Sequence, residues 1–187
     1  MTTGDALGRM VAHLDAARIP YLLTGSFAAS VHGFLRTTYD FDFVIDPDAA
    51  SLTAFLARLA PDEYYVDEAT AKSALQRRAM FNVIDQATQW KFDLIVSRRD
   101  DFALNQFDRR TRAIVAGIEV WVASAEDVVL SKLVWARSGN SERQLRDVGG
   151  VVAVQGEALD RTYVEGWAQR LGVEDLWRKV LGALPPG

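Results

Sequence analysis

Two aspartates stand two residues apart inside an apolar run, Asp40-Phe-Asp-Phe-Val-Ile45. The aromatic and β-branched residues over 41–45 predict a strand. On a strand, residues two apart face the same side, about 6.5–7 Å apart at Cα. Asp40 and Asp42 therefore project together, while Phe41 and Phe43 turn into a core. Paired carboxylates in such a half-buried run are costly unless something cationic compensates them. A divalent metal ion is the usual partner of oxygen donors so placed. Taken alone, an Asp-x-Asp pair equally suits a solvated strand face.

What precedes the pair points to phosphate. Tyr21-Leu-Leu, between Pro20 and a glycine, reads as a first strand. Gly25 permits a close backbone approach and an unusual turn. Ser26 is expected to cap a helix through Phe27, Ala28, Ala29 and Val31, ending at Gly33. The N–H groups at a helix start attract phosphate. A third carboxylate, Asp93, is the only acidic residue in the strand-like run 90–96. Three such acids suit a two-metal site, with ions about 3.5–4 Å apart. Phosphate donors beside metal carboxylates suit transfer of a nucleotidyl group from a triphosphate.

The remaining chain frames this stretch. Apolar spacing predicts helices over 5–18, 47–59, 69–78 and 100–107, with Pro20 and Pro61 as stops. Residues 64–66 read as a short strand, 80–85 and 90–96 as a hairpin, and 112–116 and 118–123 as a second hairpin around Gly117. From Ser124 the pattern is helical, with Ser138-Gly-Asn-Ser141 read as a turn between helices and Pro185-Pro-Gly187 as a fraying end. The expected fold is α+β, a sheet domain over 1–123 with a helical region over 124–187 packed on it. Trp135, Trp167 and Trp177 are most simply core, and Arg143, Arg146 and Asp147 an ion-pair network between helices. The pairs Arg77-Arg78, Arg98-Arg99 and Arg109-Arg110 read as solvated faces, or as RNA contacts if they converge.

Composition narrows the rest. With 21 Lys and Arg against 25 Asp and Glu, the net charge of −4 does not favour a chain that coats nucleic acid. There is no cysteine, which excludes disulfides and thiolate metal sites. His13 and His32 are too far apart in sequence to suggest zinc; His32 is expected to pack or cap. No apolar run reaches membrane-spanning length, and Met-Thr-Thr-Gly-Asp lacks a basic segment before an apolar core, so a cytoplasmic protein without membrane association is expected.

Together, Gly25-Ser26, Arg36, Asp40-Phe-Asp42 and Asp93 resemble the signature of the nucleotidyltransferase superfamily of the DNA polymerase β type. More narrowly, they are similar to small bacterial nucleotidyltransferase-like proteins related to abortive-infection toxins. The likeness spans residues 20–96 and, less specifically, 124–155, including Ser131-Lys132 and Arg143-Gln-Leu-Arg-Asp147. The resemblance implies a nucleotidyltransferase-like mixed β-sheet flanked by helices, with a C-terminal helical layer. It implies that Gly25 and Ser26 grip a nucleoside triphosphate, that Asp40, Asp42 and Asp93 hold Mg²⁺, and that one of these acids helps activate an acceptor hydroxyl on RNA, protein or a small molecule. Lys132 resembles a helix lysine that contacts nucleotide phosphates. Arg36 suits either a phosphate contact or a charge-assisted pair with Asp40. The alternative is a non-catalytic nucleotide- or partner-binding module of the same fold, for example a toxin–antitoxin component with an antitoxin-like partner.

Overall fold

Period-2 burial decides the middle of the molecule. Strand β2 (Asp40–Ile45) buries Phe41, Phe43 and Ile45 completely and leaves Asp40, Asp42 and Val44 half-buried, as an amphipathic strand must. The computed structural model describes residues 2–34, 38–139 and 141–184. Around β2 lie β1 (Tyr21–Thr24), β3 (Tyr64–Val66), β4 (Met80–Asp85), β5 (Lys91–Val96), β6 (Thr111–Val115) and β7 (Ile118–Val122). Their order across the sheet is β3-β4-β5-β2-β1-β7-β6. β2 pairs parallel with β5 and antiparallel with β1, while β1 pairs parallel with β7. The sheet is therefore mixed, and the α+β expectation holds.

Aromatic residues fill the buried face. Phe41 stacks on Phe27 at 4.1 Å between centroids and on Phe92 at 5.3 Å, and Tyr21 meets Phe43 edge-on at 5.7 Å. Such pairs add about 0.5–1.5 kcal/mol each beyond their buried area. Helix α1 (Thr3–Ala16) turns Leu7, Met10 and Leu14 inward and starts with a capping box between Thr2 and Asp5. The short α2 (Gly25–Val31) leaves the end of β1, and His32 after it holds the Ala123 carbonyl at 2.8 Å. Aspartates Asp48, Asp67 and Asp100 cap α3 (Ala49–Leu56), α4 (Glu68–Arg77) and α5 (Asp101–Arg109), each satisfying an N–H that the first turn leaves unpaired.

All the described strands precede Ser124. Among the described residues four α-helices follow: α6 (Ala125–Gly139), α7 (Glu142–Gln155), α8 (Arg161–Arg170) and α9 (Glu174–Ala183), with a short 3-10 helix, Gly156–Ala158, after α7. Ser124 Oγ accepts the Asp127 N–H at 3.2 Å, which starts α6 where the Ser-x-x-Asp pattern places it. The expected turn at 138–141 is corrected in part. Ser138 and Gly139 are still helical, because the Ser138 hydroxyl donates to the Val134 carbonyl at 3.0 Å and is satisfied within the helix. Asn140 and Pro185–Gly187 lie outside the described residues. No described helix is long and apolar enough to cross a membrane.

Helices α6 and α7 are joined by a buried ion pair. Lys132 is 2% exposed; its Nζ donates to Asp147 Oδ2 at 2.8 Å and to Gln144 Oε1 at 3.1 Å. A network between these helices was expected, with arginines as its cations. The lysine takes that role because it projects from the inner face of α6, among Val128, Val129 and Leu133. Removing one partner of a buried pair costs roughly 3–5 kcal/mol, whereas replacing both by apolar groups is far cheaper. Lys132→Met should therefore lower unfolding stability by about that amount, and the double change with Asp147→Leu should recover part of it. Urea denaturation of the three chains checks both outcomes.

Candidate active site

Register across four strands builds the site. Thr24 of β1 lies opposite Asp42 of β2, Asp42 beside Asp93 of β5, and Asp93 opposite Asn82 of β4. Paired residues project from the same side of a sheet. The result is one polar row, Thr24–Asp42–Asp93–Asn82, with Asp40 beside Lys91 in the next row. The two acids of β2 and the third from β5 are thus brought to one face.

Gly25 is what lets Asp42 sit there. Its φ is +65°, a conformation that other residues rarely adopt. A Cβ added to it would stand 2.7 Å from Asp42 Cγ and 2.9 Å from Asp42 Cβ. The carboxylate lies directly against the glycine backbone where the strand turns into α2. The expected cap needs correction. β1 runs on through Thr24, which is the N-cap residue with an extended backbone but no side-chain capping bond, so Ser26 falls inside the first turn, 7% exposed. Thr24 Oγ1 is buried and has no hydrogen-bond partner among the described residues.

The electrostatics show an acid cluster with incomplete compensation. Burial, then the neighbouring charges of Asp40 and Asp93, push the Asp42 carboxyl up to about 7; the cations Lys132 and Lys91 oppose this. Lys91 reaches Asp93 Oδ2 at 2.9 Å and Asp40 Oδ2 at 3.7 Å. Burial would lower the pKa of this ammonium group, but its bond to Asp93 and the charges of Asp93, Asp40 and Asp42 raise it instead. Asn82 Nδ2 donates to Asp93 Oδ1, and the Thr38 hydroxyl to Asp40 Oδ1. Lys132 acts on Asp42 through its charge while its ammonium is engaged by Asp147 and Gln144. Arg36 lies outside the described residues.

Three carboxylates in mutual electrostatic reach are the hard oxygen donor set that a divalent cation takes. Burial and the neighbouring acids hold the Asp42 carboxyl above its ordinary range despite Lys132 and Lys91. In donor chemistry the residues fit such an ion. In the arrangement described, Lys91 and Asn82 occupy the oxygens of Asp93, and no group of three or more His, Cys, Asp or Glu among the described residues is gathered to hold a metal.

Two participants escaped sequence reading. Lys91 stands two residues before Asp93, and the spacing rule that paired Asp40 with Asp42 places it on the same face. Asn82 carries no comparable signal, since only the β4–β5 register brings it to Asp93. Trp135 is a correction. Trp177 is core at 1% exposure and Trp167 packs on the core, but Trp135 stands outside that cluster and lines a cleft beside the acids. Arg109 is no solvated charge either; it pairs with Glu126 at 2.9 Å and lies over the Tyr163 ring.

No family model and no curated protein matches the sequence. Solved structures do match the fold. ANT(2″)-Ia in complex with adenylyl-2″-tobramycin superposes with a TM-score of 0.63 at 12% identity, over 92% of this chain and 98% of that one. The lincosamide antibiotic adenylyltransferase LnuA, lincomycin-bound, gives 0.55 at 13% identity, over 82% and 98%. An antigenic nucleotidyltransferase-like protein from Paracoccidioides brasiliensis gives 0.50 at 18% identity, over 95% and 92%. The chain therefore has the nucleotidyltransferase fold.

Two outcomes test the geometry. Gly25→Ala combines a disfavoured φ with a clash at Asp42 and should destabilise the chain by ~1–3 kcal/mol, read as a lower urea midpoint. Asp42 gives a pH signature. A carboxyl raised from 3.8 to about 7 on folding contributes stability that is full below pH 3.8 and is lost as pH rises through about 7. Its ceiling is about 4 kcal/mol. Asp42→Asn should flatten that decline and stabilise the chain at about pH 8, measured by denaturation in the presence of a chelator.

Proposed function

We propose that this chain is a nucleotidyltransferase that moves an NMP group from a nucleoside triphosphate to a hydroxyl acceptor. One observation carries the reading: Asp40, Asp42 and Asp93 converge on one sheet face with Asp42 packed against Gly25, at the start of α2. The match to the fold of two adenylylating proteins supports it.

In this reading Gly25 and Ser26 receive the triphosphate, with Arg36 as a further phosphate contact. Asp40, Asp42 and Asp93 hold Mg²⁺, which when bound supplies neutralising charge at the phosphates. Lys91 then serves as a counter-charge that neutralises Asp93 and Asp40 before substrate arrives. Lys132 assists from behind as a buried cation that favours ionised Asp42 rather than as a direct phosphate ligand. The acceptor oxygen bonds to the α-phosphorus as the α–β anhydride breaks. Pyrophosphate leaves, and the hydroxyl proton passes to a carboxylate. The acceptor hydroxyl belongs to RNA, protein or a small molecule.

The test is thermal stabilisation by ATP, CTP, GTP and UTP with Mg²⁺, followed by transfer of labelled NMP to RNA, lysate protein and small hydroxyl compounds. The expected result is a shift with at least one nucleotide and transfer that falls by roughly 10²–10⁴-fold in Asp42→Asn. A flat response to every nucleotide would refute the proposal. A shift without transfer would identify the non-catalytic module, with an antitoxin-like partner among its uses; the engagement of Asp93 by Lys91 is the observation that favours it.

A further inference from the structure

One pleat beyond the acids the same sheet face turns apolar. Leu22, Val44, Ile95 and Met80 stand in register across β1, β2, β5 and β4, parallel to the row that holds Asp42 and Asp93. Val44 and Ile95 floor a cleft of about 190 Å³. Trp135 of α6 and Phe102 of α5 contribute to its walls. The wall from α6 runs 131, 134, 135 and 138, a single helical face. On a helix whose other face is core, this second face keeps its tryptophan half-exposed and outside the core cluster.

Two further observations point to an occupant. Thr24, 1% exposed, belongs both to the acid row and to the cleft lining, and its hydroxyl has no hydrogen-bond partner among the described residues. The charge balance is also one-sided. The charged residues of the lining are Arg98 and Asp100. Asp100 is committed as the cap of α5, accepting the Ala103 N–H at 2.9 Å. Arg98 is exposed and makes no salt bridge among the described residues.

Resting on the nucleotidyltransferase reading, we propose that this cleft binds the acceptor, and that the acceptor is a small ring-bearing alcohol without positive charge. The ring lies against Trp135 and Phe102 over Val44 and Ile95. Adjacent rows on one face are about 6.5–7 Å apart, so a hydroxyl across the ring meets Thr24 and the acids. Arg98 repels a cationic ligand and attracts an anionic substituent, while the cleft lining itself offers hydroxyl and amide groups but no uncommitted carboxylate for an ammonium group. A polymer end is a poor match for so small a recess with a single uncommitted arginine. The product is the acceptor's NMP phosphodiester, with pyrophosphate released and the hydroxyl proton passed to a carboxylate.

The test is ligand-observed NMR with the full chain and three probes: 4-(hydroxymethyl)benzoate, the ring polyamine 2-deoxystreptamine, and adenosine. Saturable binding of the benzoate is expected, with no binding of the polyamine. Ser131→Phe fills the cleft and should weaken the benzoate by about tenfold or more, the scale of misfit in an apolar pocket. Arg98→Glu should weaken it roughly threefold, the worth of one exposed charge pair, and admit the polyamine. Tighter wild-type binding of the polyamine, displacement of the benzoate by adenosine, or no saturation by the benzoate would each overturn the inference. A nucleotide thermal shift on the same samples separates the two failures. If it persists while the cleft stays empty, only the acceptor assignment is lost; if it is absent, the nucleotidyltransferase reading falls with it.

Discussion

The contact between Asp42 and the backbone of Gly25 sets the terms for everything around it. A carboxylate pressed against a strand-to-helix turn loses much of its hydration, and its in-register neighbour is another aspartate. Both effects oppose ionisation, which is why this acid titrates near neutrality. A fold selected only for stability would place an apolar residue here, as it does at Phe43 and Leu94 on the opposite face. The strain is tolerated because the sheet over-determines it. β2 is held on both sides, by β1 and β5, and its alternate residues are locked into an aromatic core. An acid kept at that cost on a rigid strand marks a candidate functional site.

The helical layer contributes to the same electrostatics from a distance. Lys132 and Asp147 form a nearly neutral unit between α6 and α7, yet the lysine still favours ionised Asp42. The buried ion pair that joins two helices is thus also part of the site's field. This couples the packing of residues beyond Ser124 to chemistry on strands that precede it. Loosening the α6–α7 contact and raising the proton affinity of Asp42 are two consequences of one change.

How much of this the sequence discloses depends on the range of each interaction. The strand carrying Asp40 and Asp42 and its two faces follow from the local period rule, and they stand where that rule puts them. Asp93 was recognisable because a lone acid in an apolar strand needs a reason. Lys91 obeys the same period and was legible in principle, but a lysine near a strand start passes for an ordinary surface residue. Asn82 and the partner of Lys132 depend on strand register and helix pairing, which no local pattern encodes. Trp135 misleads for a related reason. Its spacing matches a buried helical stripe, and a face lining a cleft has the same apolar period as a face filling a core.

That ambiguity is physically informative. Helix α6 presents apolar residues on two sides, one closing the core through Val128, Val129 and Leu133 and the other standing beside the acid row through Val134 and Trp135. The first side is accounted for by packing. The second is half-buried apolar surface that lines a cleft beside the acid row. On the sheet below, the change from Asp42 and Asp93 to Val44 and Ile95 takes place within a single pleat. Polar and apolar rows so close together match a molecule with one reactive polar atom and an apolar body. On the acceptor proposal, the acids set where the polar atom goes, and the rows beside them set how large and how hydrophobic the remainder is. On that proposal, specificity is a property of the boundary between two rows of one sheet, with α6 as a wall.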